Sequence, residues 1–508
     1  MQIQKKILLA LRYLLLLCVL TFIPIQCERH SHPQEIILAR VDGKSISVPE
    51  FIERAEYTIR PAYCRSDDYI QRKIVLNSLL AEKLLALEAG EDNELIRNAE
   101  FQAYLRGRKE QAMRQWFYNE EIYSKVKLDT AEIRRFYRFA GRTYKIHEII
   151  FPDSAAACKI YDDLLKTKES LQTLFQDNGD TLHIPEREIK YSEPENDAVH
   201  LALFSDSLRQ RQVLGPLKLE QGLYSIIEIK GWTDNLAITD QQVRQRWNTV
   251  EEKLKDIQAA QLYTKFVKEL MKGKKVEFDR ETFIKLVNVV APDYYKTEQE
   301  KRNAFSKKLW NKDSDEMILD DRSGQLQQIL EQPLLTIDDQ VWKVEDLQEA
   351  LKIHPLVFRN RKIPKREFAE QFKLAIVDLI RDQYVNREAY AKGYDKAPAV
   401  QRNYNMWKDN LLALYQREQY LKTIHADEKD PLLIIEKYLN PYVQQLQKKY
   451  NSDIEINTDE FEKVQLTHID MFVIQQNMPF PVIVPSFPQV TTHDRLDYGR
   501  KMIEEKSR

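Results

Sequence analysis

At 508 residues the chain is long enough for several domains and a substantial buried core. Its 77 basic and 79 acidic residues nearly cancel, which excludes the one-sided charge of a nucleic-acid surface. Glycine is scarce, and the closest pair, Gly215 and Gly222, stands too far apart for either a G-x-G-x-x-G turn or a Walker A loop, so the common nucleotide enzymes are excluded as well.

Lys5 and Lys6 precede an apolar run from Ile7 to Ile25, the basic and apolar regions of an export signal. The run ends at Cys27, placed like a bacterial lipoprotein cleavage site, although Gln26 stands where a small residue is usual. The expectation is a lipid-anchored export product acylated at Cys27. An uncleaved membrane anchor and an ordinary signal peptide are the alternatives. Residues 28–35 then form a polar tether; Cys27 just before it and His30 and His32 within it have no nearby fourth ligand, so no metal is expected there. Cys64 and Cys158 fall in different segments and read as free thiols.

Ile36 to Val41 and Ser45 to Val48 read as a β-hairpin turned at Asp42-Gly43. From Ile74 to Ala89, Leu76, Leu79, Leu80, Leu84 and Leu87 mark one face of a helix, and a second helix is expected from about Glu94 to Lys125. Asp129 to Glu132 resembles an N-cap with a reciprocal acid, opening a short helix to Tyr137. The texture then changes. An Ile-rich strand over Tyr144–Phe151, a helix over Ala155–Lys166 and a hairpin around Gln221-Gly222 make an α+β region. Helix returns at Thr239, whose spacing to Gln242 fits a capping box, and runs to about Lys272.

The first elements then recur. Val41-Asp42-Gly43-Lys44 and the residues up to Phe51 have an echo in Ile337-Asp338-Asp339-Gln340 up to Leu347. The extended piece from Val276 to Phe283 is echoed from Ile454 to Phe461 without a gap, and residues 368–390 supply a second long helix. Finally Pro479, Pro481, Pro485 and Pro488 punctuate an apolar tail, which forbids helix and central strand. The tail is expected to be an extended strap on its own module; occupation of a peptide groove is the sharper alternative.

In order, the hairpin leading into Phe51, the Leu79–Ala89 helix, Glu132–Tyr137, Ala202-x-Phe204, Gly215-Pro216-Leu217 and Gly222 to Ile227 resemble the exported SurA/PrsA/PpiD-like chaperone and parvulin-type peptidyl-prolyl isomerase family. The resemblance covers about residues 36–290, and more loosely 334–465. It implies a mainly α fold with an α+β insert: two related helical chaperone-like modules, the first carrying a parvulin-like domain. The expected division is a signal peptide over 1–27, module 1 over 36–137 plus 238–290, the parvulin-like domain over 138–237, a linker over 291–333, module 2 over 334–465 and the Pro-rich tail over 466–508.

The resemblance implies a chaperone of the cell envelope, periplasmic or lipid-anchored, that binds unfolded or partly folded exported polypeptides. It implies no cofactor, no metal and no nucleic acid, and leaves a homodimer open. The family's two site histidines are not matched. His147 falls one residue early, which in a strand turns it to the opposite face, and Ser225 stands where the second would be. His183 and His200 match no position of the family's network and are expected in surface loops. The alternatives are an active isomerase with a rearranged site around Glu148, Phe204 and Ser225, and an assembly scaffold.

Overall fold

The computed structural model describes residues 35–177, 183–219, 222–296, 324–359, 363–466 and 479–502. The expected signal peptide, Cys27, most of the tether and the middle of the linker lie outside them. The structure is 58% helix, with three small sheets among the described residues.

Strands β1 (Ile37–Val41) and β2 (Lys44–Ser47) form the first hairpin. Its turn needs positive φ at two successive residues, 42° at Asp42 and 80° at Gly43, which Asp-Gly supplies with little strain. Ser47 caps helix α1 (Val48–Glu56) by accepting from the Glu50 amide. Asp68 caps α2 (Tyr69–Ala89) in the same way, and Gly90 ends it at φ 70°. The sequence pattern predicts one apolar face for α2. Instead the whole circumference is buried from Ile74 to Ala86, including Asn77, Ser78, Glu82 and Lys83. Other parts of the chain cover its polar side.

The expected long helix after α2 is broken at Asn98. The Asn98 side chain accepts from the amides of Glu100 and Phe101 and so starts α3 (Ala99–Glu121) afresh. Asp129 caps α4 (Thr130–Tyr137), but Glu132 does not reach back to close a capping box. Its carboxylate accepts from Gln258 instead.

The insert is a four-stranded antiparallel sheet in the order β4-β3-β6-β5, built from β3 (Arg142–Phe151), β4 (Glu186–Lys190), β5 (Val213–Lys218) and β6 (Tyr224–Asp234). Helices α5 (Ser154–Thr167) and α6 (Leu171–Asp177) cover one face. Helix α7 (Asp197–Phe204) covers the other, packed with α4 and the long α8 (Asp240–Leu270). Thr239 and Gln242 close the capping box of α8 as their spacing predicts.

Beyond α8 come β7 (Val276–Phe278), α9 (Arg280–Tyr294), the hairpin β8 (Pro333–Ile337) and β9 (Gln340–Lys343), α10 (Val344–Ile353), α11 (Phe368–Ala391) and α12 (Pro398–Thr423). The chain closes with α13 (Asn440–Lys449), β10 (Ile454–Ile456), α14 (Thr458–Lys463) and β11 (Arg500–Lys501).

Strand pairing crosses the boundaries that the repeat suggests. The first hairpin pairs with β10, not β7, and the second hairpin pairs with β7. The register is the same in both sheets: Val41 faces Ile454 and Ala39 faces Ile456, while Ile337 faces Val276 and Leu335 faces Phe278. Helices follow suit. One core joins β1, β2, α1 and α2 to α12, α13, β10 and α14; the other joins β8, β9, α10 and α11 to β7 and α9, with α3 packed alongside. Between them α3, α8 and α11 meet around Met113, Phe117, Tyr263 and Val385.

The Pro-rich tail from residue 479 is a strap. It begins with Phe480 in that central cluster, crosses α12 and α2, and ends with β11 parallel to β10.

Candidate functional site

Glu148 and Ser225 come together in the insert. They stand on β3 and β6, in a register that pairs Ile150 with Ser225 and Glu148 with Ile227. The Ser225 hydroxyl donates to Glu148 Oε1 at 2.7 Å. Arg187, on the edge strand β4, forms ion pairs with both Glu148 and Glu195. The carboxylates are mostly covered, whereas Arg187 is 45% exposed, so the cluster opens to solvent through its guanidinium. Beside it the chain passes close. At Gly215 φ is +130°, and an added Cβ would stand 2.8 Å from the Ser225 carbonyl oxygen, so only glycine fits.

Phe204 does not line an open pocket. It is fully buried, with Tyr144, Tyr191 and His200 around it at ring-centroid distances of 5.3, 5.1 and 5.0 Å. His147 lies one residue before Glu148, beside Glu186 and Glu228 in the neighbouring strands. Strand alternation therefore puts it on the other face of the sheet from Glu148. Burial, and then Lys230, lower its pKa.

His183 is exposed between elements, as expected. His200 is not on the surface. It sits on α7 with no exposed area and neither ring nitrogen partnered, its ring 4.4 Å from that of Tyr191. Burial, and then Lys253, push its pKa down to about 3. The apolar neighbours Val199 and Leu203 were the available signal that this stretch is a core helix rather than a loop.

These positions supply a hydroxyl bonded to a carboxylate that a guanidinium already holds. Isomerisation also needs an apolar seat for the proline ring beside such donors, and Phe204 has no free face to provide one.

The strap occupies a second site, one that a listing of polar motifs does not predict. Phe487 and Val490 are buried in the first core and Thr491 is wholly covered. Much of its polar anchoring goes to backbone groups. The Ser486 carbonyl accepts from Arg54 at 2.8 Å and from Asn410 at 3.3 Å; that of Ile483 accepts from Asn403, and that of His493 from Asn77. Beneath it lies a network of charges out of water. Arg54 binds Glu82 bidentately at 2.8 Å, and Lys83 reaches Glu50 at 2.8 Å and Asp409 at 3.0 Å. Burial raises the Glu50 pKa; it opposes the charge on Lys83 too, but Glu50 and Asp409 hold that pKa above its ordinary value.

No family model matches the chain, and no curated protein matches it.

Proposed function

We propose that the protein is an exported, membrane-tethered chaperone that holds unfolded or partly folded polypeptides, related to the parvulin-type isomerase family. In this reading the chain contains two related helical modules that have exchanged their closing strands, with a parvulin-like domain inserted between α4 and α8. The matched registers of the two hairpin sheets support the relation between modules.

One observation carries the reading. A helical groove holds an extended, proline-rich segment through backbone carbonyls and apolar side chains. Such contacts depend little on sequence, which is what a binder of many unfolded chains requires. The isomerase alternative draws on the Ser225–Glu148 pair but finds no open proline seat at Phe204.

The two readings separate in solution. The exported chain, residues 28–508, is expected to suppress aggregation of a denatured client at near-stoichiometric ratios. In a protease-coupled assay it is expected to leave prolyl isomerisation at its uncatalysed rate. Light scattering unchanged at excess protein would sink the chaperone. Catalysis lost in Ser225→Ala would establish the isomerase instead.

A further inference from the structure

Along the strap, burial repeats every third residue. Val484 and Pro485, Phe487 and Pro488, and Val490 and Thr491 are buried in pairs; between the pairs Ser486 is half-buried and Gln489 exposed, and Ile483 before the first pair is exposed too. Three residues per turn is the period of polyproline II, and the rings of Pro481, Pro485 and Pro488 fix the φ it needs. The neighbouring helix matches that period. Asn403 and Asn410 on α12 donate to the carbonyls of Ile483 and Ser486, each at 3.3 Å. Seven helical residues rise about 10 Å and three residues of polyproline II about 9 Å, so successive turns of the strap meet successive asparagines on one face of α12. The groove reads backbone carbonyls at a fixed pitch.

Its floor is paired without the strap. Arg54 takes both oxygens of Glu82, Asn410 donates to the same carboxylate at 2.7 Å, and Asn77 accepts from Gln447 at 3.0 Å. The strap adds the Ser486 carbonyl to Arg54 and Asn410, and that of His493 to Asn77. On α13, Asn440 Oδ1 accepts from the Thr491 hydroxyl at 2.8 Å and the Thr492 amide at 3.1 Å. Departure of the strap leaves Arg54 and Glu82 bonded to each other and uncovers an apolar groove lined by amide donors.

We infer that this groove, between α2, α12 and α13, is a binding site for polypeptide in the polyproline II conformation with apolar side chains at two of every three positions, and that the strap is its ligand in cis, which a client segment of the same kind displaces. The occupant at rest is this chain's own Ile483–Thr491, seated in the groove. The inference deepens the chaperone reading and rests on it: it names the client site, the conformation recognised and the segment that competes for it.

The test is fluorescence anisotropy with a labelled peptide of residues 479–490, titrated with the exported chain and with two strap variants. Phe487→Ala weakens the competitor and leaves every groove residue in place, so it is expected to tighten peptide binding about tenfold. Thr491→Val removes only the hydroxyl bond to Asn440 and is expected to tighten it about threefold. A peptide with Pro481, Pro485 and Pro488 all replaced by alanine is expected to bind about fivefold more weakly, having lost its preset conformation. Calorimetry reports whether each variant folds; should Phe487→Ala fail to, Thr491→Val decides. Folded variants that bind the peptide no more tightly than the parent would make the strap a fixed part of the core and overturn the inference. In the parent chain, adding a carboxymethylated unfolded client is expected to speed hydrogen exchange at the Thr492 amide. Unchanged exchange while client aggregation is still suppressed would overturn the groove and leave the chaperone standing. Tighter peptide binding in the variants without any suppression would keep the groove and overturn the chaperone.

Discussion

Arg54 and Glu82 pair with neither side chain exposed, so their attraction must offset the desolvation of two charges. Among the described residues, Arg54→Ala leaves Glu82 buried with Asn410 as its remaining side-chain donor and takes one donor from the Ser486 carbonyl. The expected loss is about 3–5 kcal/mol in urea unfolding, with new protease cleavage within 479–502. His200 makes a pH prediction. Its pKa falls from 6.5 to about 3 on folding, so the unfolded chain binds the proton more tightly. The stabilising contribution is then complete above pH 6.5 and is lost as pH falls toward 3. At pH 5 the loss is about 2 kcal/mol. His200→Leu removes that titration and both unpaired nitrogens. Its melting temperature is expected to decline less than the parent's between pH 7 and pH 5, as measured by calorimetry.

At the scale of elements, the pairing of the first hairpin with β10 rather than β7 is the feature most open to direct chemistry. Arg40 and Glu455 are directly opposed, and such Cα atoms stand ~5.5 Å apart, within disulfide reach. Arg40→Cys with Glu455→Cys, in a background with the exposed Cys158 replaced, is expected to cross-link on mild oxidation, read by mass spectrometry. Arg40→Cys with Glu277→Cys is expected not to. Much of the framework was legible beforehand. Asp42-Gly43 announced its turn and Thr239-x-x-Gln242 its capping box, because both signals are local. That pairing was not legible, since β7 and β10 fit either hairpin equally by pattern and only long-range packing chooses. β4 was missed because Glu186 to Lys190 is a charged, exposed edge strand without an apolar run. In the candidate site, strand alternation foretold that His147 would face away from Glu148. The closure of Phe204 was hidden, because Tyr144 and Tyr191 reach it only through the fold, and His200, one turn before it on α7, covers only one side.

At the scale of the whole molecule, the first and last described strands lie in one sheet, with β10 between β1 and β11. The first hairpin core cannot close until the distant C-terminal elements arrive, a topology of high contact order that slows folding, whereas the second is built from neighbouring elements between β7 and α11. Beside the central cluster that joins α3, α8 and α11, Arg114 bonds Asn386 at 3.0 Å and His354 bonds Asp382 at 2.9 Å. Burial opposes the charge on Asp382, but His354, Arg114 and Arg381 hold its pKa at about 2, so the joint keeps that carboxylate charged through neutral and mildly acid conditions. A scaffold that holds its own extended strap through backbone carbonyls and apolar side chains is suited to holding extended chain. The most direct measurement is equilibrium binding of one fluorescent client in two states, permanently unfolded by reduction and carboxymethylation, or native. A chaperone of this kind is expected to bind the unfolded form saturably and the native form not at all. Equal binding of both, or binding of neither, would contradict it.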